Sequence, residues 1–76
     1  MIVMLRKEIY IPLLNEGVPV IRPTFGILVK RNIYKVLPTP DYDPENEEWE
    51  YPPGSMVICK SQIRDGEKIL VAMDKV

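Results

Sequence analysis

Residues 55–74 read SMVICKSQIRDGEKILVAMD, and the centre of this stretch decides the fold. Asp65-Gly66 stands between two apolar runs. Such a pair is the strongest short-range hairpin signal, because a two-residue turn of matching twist requires positive φ at both positions. Ser55–Ile63 and Lys68–Asp74 alternate on either side of it and read as paired antiparallel strands. The same period continues toward the N-terminus. Ile33–Leu37 (IYKVL) reads as a strand preceded by a turn at Lys30-Arg31-Asn32, where asparagine tolerates the left-handed region. Val18–Leu28 (VPVIRPTFGIL) reads as an interrupted strand: Pro19 and Pro23 lack a ladder donor, and Gly26 marks a bulge or sharp corner. Lys7–Leu13 places Ile9, Ile11 and Leu13 on one face and Glu8, Tyr10 and Pro12 on the other, with Asn15-Glu16-Gly17 as a three-residue hairpin loop.

Helix has little support anywhere. Five strands, one bent, predict an all-β domain over residues 1–76: a small, strongly curved antiparallel five-stranded barrel of SH3-like type. One long acidic loop, at about residues 38–54, interrupts the series. Its five prolines in seventeen residues argue against continued pairing.

Composition narrows the chemistry. The 76-residue chain is 46% hydrophobic, which fits a globular domain, though one of this size has a thin core. It has no histidine, so the usual proton shuttle and the commonest metal ligand are missing. Its single cysteine, Cys59, has no disulfide partner within the chain and no histidine to activate it; it reads as a strand residue of the core. No Gly-rich phosphate loop occurs. No stretch approaches the length of a membrane span, and the apolar run that opens MIVMLRKE is too short for an export signal. These features predict a cytoplasmic protein without cofactor or metal, and not an enzyme.

Net charge is −1, but it is unevenly placed: residues 41–50 hold Asp41, Asp43, Glu45, Glu47, Glu48 and Glu50 with no base. The remaining chain holds ten basic and five acidic residues, a balance of +5. The loop admits two readings. It is a docking site for a basic partner with Trp49 and Tyr51 as anchors, or a solvated connection whose aromatics close one end of the barrel. In either case Trp49 and Tyr51 flank Glu50 at strand spacing and face one way, leaving Glu48 and Glu50 to water. The acids lack the glycine and ligand spacing of a calcium loop. YPPGS, residues 51–55, reads as turn geometry that launches the next strand.

Two segments, EGVPVIRP at 16–23 and EEWEYPPGSMV at 47–57, together resemble a group of small bacterial proteins that share EGxxVxRP and EEWEFxPGxxV segments. The likeness spans about residues 8–72, with Tyr51 in place of phenylalanine. It implies a compact bacterial β domain and carries no activity. Its matching positions are Glu16, Gly17, Arg22, Pro23, Trp49, Pro53 and Gly54. Geometry accounts for the glycines and prolines, which leaves Glu16, Arg22 and Trp49 as candidates for more than backbone shape.

The function these observations favour is protein interaction or regulation through the loop, with Glu47, Glu48, Trp49, Tyr51, Arg22 and Glu16 as candidate binding residues. The alternative is a single-stranded RNA or DNA binder using Arg22, Lys30, Arg31, Lys35 and Tyr34, although a pI of 5.3 and the acidic loop work against it. Exposed strand edges in so small a barrel also suggest a homodimer.

Overall fold

The structure, a computed structural model, describes residues 5–76. All but the last residue of the N-terminal apolar run, and with them the expectation about an export signal, lie outside the described residues. No helix is long and apolar enough among the described residues to cross a membrane.

Six strands form in chain order: β1 (Arg6–Leu14), β2 (Ile21–Lys30), β3 (Ile33–Val36), β4 (Glu48–Trp49), β5 (Met56–Arg64) and β6 (Glu67–Lys75). Five of them close a ring, β1–β2–β3–β5–β6–β1, which is the small barrel expected from the alternation. The sixth, β4, lies inside the acidic loop and pairs with the end of β1 through Leu13–Trp49 and Leu14–Glu48. The loop therefore returns to the sheet, contrary to expectation.

The ring differs from a wholly antiparallel barrel in one pair. β1 and β6 run parallel and touch through a single register pair, Tyr10–Val71. An up-and-down meander with an odd number of strands brings its first and last strands together in the same direction, so this closure follows from strand count. Away from that contact β6 diverges from β1, and the outer half of the β5–β6 hairpin pairs only with itself.

Both strand prolines sit where no donor is required. Pro12 pairs with Ile21 and Pro23 with Tyr10 in the β1–β2 ladder. The neighbouring bonds fix which backbone groups point where: Leu13 N donates to Val20 O, and Leu28 N donates to Leu5 O. In an antiparallel ladder hydrogen-bonded and non-hydrogen-bonded pairs alternate. Odd-numbered residues of β2 therefore turn their N–H and C=O groups away from β1, as the bond from Leu37 N to Phe25 O confirms. Pro23 faces a free edge of β2. Pro12 faces the loop, where its carbonyl accepts from Glu50 N at 2.9 Å.

Gly26 is not the bulge it was expected to be. It pairs with Lys7 on one side and Val36 on the other. A Cβ there would lie 2.8 Å from Ile9 Cδ1 and 3.1 Å from Tyr34 Cβ. Glycine is needed because two core side chains cross directly over the strand. The irregularity falls between Leu28 and Lys30, where Val29 is the extra residue. Likewise, the turn after β1 takes its left-handed residue at Asn15 (φ 59°), not Gly17, and β2 begins at Ile21, later than expected. Asn32 (φ 65°), Asp65 (φ 50°) and Gly66 (φ 79°) adopt the conformations their sequence positions suggested.

Ile9, Ile11, Tyr34, Val36, Trp49, Tyr51, Val57, Cys59 and Ala72 form one buried cluster, edged by Leu13, Leu28, Tyr42 and Leu70. Thr24 is the buried polar residue among the described residues, and its hydroxyl donates to Leu37 O at 2.6 Å.

Candidate binding surface around the acidic loop

The loop is built on an Asx turn. The carboxylate of Asp43 accepts from Glu45 N at 3.0 Å and Asn46 Nδ2 at 3.2 Å, and its carbonyl accepts from Asn46 N and Glu47 N. This coil directs Glu47 back toward β2. There Arg22 donates in the forked manner of a guanidinium meeting a carboxylate, Nε to Oε1 at 2.9 Å and Nη2 to Oε2. Glu47 Oε1 also accepts from the indole Nε1–H of Trp49 at 2.9 Å. One carboxylate thus joins the strand, the loop and the lid.

Trp49 is 3% exposed and Tyr51 is 8% exposed, while Glu48 and Glu50 between and beside them are exposed. The alternation expected from the sequence holds, and it sends the aromatic face inward. Tyr42 meets the indole edge-on, with ring centroids 4.7 Å apart. The anchoring role assigned to Trp49 and Tyr51 is corrected by this burial: they cap the end of the barrel where β1 and β6 finish, and both rings are largely withdrawn from solvent. The turn at Pro52-Pro53-Gly54 then rejoins the sheet through Gly54 N to Val36 O at 2.8 Å, with Gly54 at φ 94°.

Electrostatics follow the geometry. The bonds from Arg22, and after them the bond from Trp49, hold the Glu47 carboxyl below the usual carboxylate range, and the bond to Glu47 raises Arg22 in turn. Burial, and then the neighbouring Glu50, pushes the Tyr51 phenol up to about 12. Burial pushes the Cys59 thiol up to about 11, so it stays protonated and a poor nucleophile.

The other candidate residues scatter. Glu48 is exposed and accepts from Asn15 Nδ2 at 3.1 Å. Glu16 is exposed and acts on Arg22 only through space. Lys30, Arg31 and Lys35 are exposed, but Tyr34 is 6% exposed and packed in the core, which removes it as a base-stacking platform. No three acidic or cysteine side chains among the described residues lie close enough to hold a metal ion.

Two concavities flank the loop. One, of about 420 Å³, is lined by Arg22, Pro23, Asp41, Asp43 and Glu47. The other, of about 500 Å³, is lined by Arg6, Pro23, Phe25, Pro38 and Pro40. The second was missed from the sequence, where Pro38 and Pro40 registered only as strand breakers. Its signal was present in Thr24-Phe25-Gly26, whose alternation turns Phe25 outward when Gly26 faces the core. No protein-family model, curated protein or solved structure matches the chain.

Proposed function

We propose that this protein is a non-catalytic interaction module that docks a basic protein partner against the exposed acids of the 38–54 loop. The observation that carries the reading is immobilised charge. Asp41, Asp43, Glu45, Glu48 and Glu50 are exposed on a segment tied to the barrel by the Arg22–Glu47–Trp49 link. A surface already ordered loses little conformational entropy on binding. Segregated charge of one sign steers a complementary partner and makes association sensitive to salt. The absence of histidine and the protonated, buried thiol support a role without catalysis.

The test compares immobilised wild type with the variant D41N/E45Q/E48Q/E50Q as bait for an extract of the source cells at low salt. Wild type is expected to retain a discrete partner that raised salt releases, and the variant is expected to lose it while melting normally. Identical retention by both sinks the reading.

The unshared outer edges of the β5–β6 hairpin favour a homodimer as a second reading. Sedimentation velocity with wild type and Ile63→Lys decides it, since Ile63 is 70% exposed on that hairpin.

A further inference from the structure

We infer that the trough along the free edge of β2 docks an extended peptide bearing a bulky apolar side chain and, two residues away, a lysine or arginine. This rests on the docking function above and narrows its partner to a linear segment of stated chemistry.

The two concavities share Pro23, Thr39 and Pro40, so they adjoin, and together they make a two-part trough between β2 and residues 38–43. Its two ends differ in character. At one end Phe25 is 47% exposed against Pro23, Pro38 and Pro40. The Arg6 guanidinium lies over the ring, 5.2 Å from its centroid, as part of the same concavity. A large exposed aromatic within an apolar concavity is the usual form of a side-chain pocket.

At the other end stand Asp41, Asp43, Glu47 and Arg22. Arg22 is paired with Glu47, which leaves Asp41 and Asp43 without a salt-bridge partner among the described residues. Asp43 accepts only from uncharged donors, Glu45 N and Asn46 Nδ2. The occupant complementary to this end is a cation, and that to the other is an apolar side chain.

The walls are pre-formed. Leu37 N donates to Phe25 O, Thr24 Oγ1 donates to Leu37 O, and Tyr42 N donates to Thr39 O. The next ladder donor on β2 beyond the Phe25–Leu37 pair would be Pro23, which has no N–H to give, so the chain leaves β2 there and the trough opens. Pro23 turns its nitrogen, which has no hydrogen, to that same edge. A peptide therefore finds no donor there for full strand addition, and side-chain pockets do the selecting. Arg22 and Phe25, the β2 residues peculiar to the two ends, are three strand positions apart, about 10 Å, a gap that an arginine or lysine two residues along an extended peptide spans with the reach of its own side chain.

The experiment titrates purified protein, observed by amide NMR at low salt, with a soluble Gly/Ser-flanked peptide whose core is Leu-Ser-Arg. Control peptides replace leucine by serine or arginine by glutamate. Saturable shifts are expected at residues 22–25 and 37–43, and each control peptide is expected to bind at least about tenfold more weakly. Phe25→Ser should lose binding to a similar degree while Phe25→Leu retains it. D41N/D43N, which keeps the Asx turn, should abolish the preference for arginine over glutamate.

No shifts at millimolar peptide, or shifts unchanged by Phe25→Ser, overturn the inference. So do concentration-dependent shifts at these residues without peptide, which assign the trough to a second copy, and shifts elicited instead by a short single-stranded oligonucleotide. Using Phe25→Ser as bait separates the two proposals. A partner kept by Phe25→Ser but lost from the acid-neutralised variant refutes the trough and leaves the docking function standing. A partner kept by both refutes the docking function.

Discussion

Between Val36 and Met56 the chain forms only the two-residue strand β4, whereas β5 and β6 share a ladder running from Val57–Lys75 out to Arg64–Glu67. Both segments are ordered, by different means. The loop is held by its side chains: Trp49 and Tyr51 in the core, Glu47 on Arg22, Asp43 on its own turn. The hairpin is anchored at its base by Val57, Cys59 and Ala72 in the core, but its outer half is held by its backbone, with side chains such as Ile63 mostly in solvent. A stretch without regular structure can thus depend more on residue identity than a stretch with it.

Substitutions test this contrast directly. Trp49→Ala should have the largest effect, about 3–5 kcal/mol, because it empties the capped end of the barrel. In so small a domain that is most of the total stability, so urea titration should show a broad or absent transition. Glu47→Ala comes next, at about 1–3 kcal/mol, most of it from leaving a buried indole N–H without an acceptor. The ion pair itself contributes little, since the Arg22 side chain is 46% exposed.

The same carboxylate gives the loop a pH dependence. Its value in the folded protein lies below the ordinary carboxylate value of about 4.3, so its contribution is complete above that pH and is lost as pH falls through the lowered value. Urea midpoints at pH 7 and pH 3 should differ less for Glu47→Gln than for wild type.

On the hairpin, Gly66→Ala should cost about 1 kcal/mol from left-handed backbone alone, because nothing lies within 4 Å of the added methyl. Ile63→Ser should be neutral to within about 0.5 kcal/mol in thermal melts. A cost for Ile63→Ser above that of Gly66→Ala breaks the contrast, because it means a packed surface covers the hairpin.

The same distinction explains what the sequence made legible. The ring strands announced themselves because alternation and turn residues act over a few positions: Ile9 and Ile11, Asn32, Asp65-Gly66. The pairing of Arg22 with Glu47 spans 25 residues, and no local pattern encodes it. It brings together the two segments that carried the resemblance to small bacterial proteins, and gives Arg22 and Trp49 a shared structural task. Burial of Trp49 was undecidable for a related reason. Strand spacing fixed that it faced the same way as Tyr51, but not where the end of the barrel lay. Pro23 looked like an interruption because donor direction depends on ladder register, which only the assembled sheet specifies.

The parallel closure of β1 and β6 also sets the polarity of the whole molecule. With Tyr10 opposite Val71, the start of β1 and the end of β6 lie at opposite ends of the barrel, about 30 Å apart for nine-residue strands. A neighbour fused before Arg6 and another fused after Lys75 would project in opposite directions, so the barrel can sit in line within a chain like a bead on a thread. Joining its ends to make a circular permutant needs a linker of roughly ten residues, where an even-stranded barrel would need a short turn.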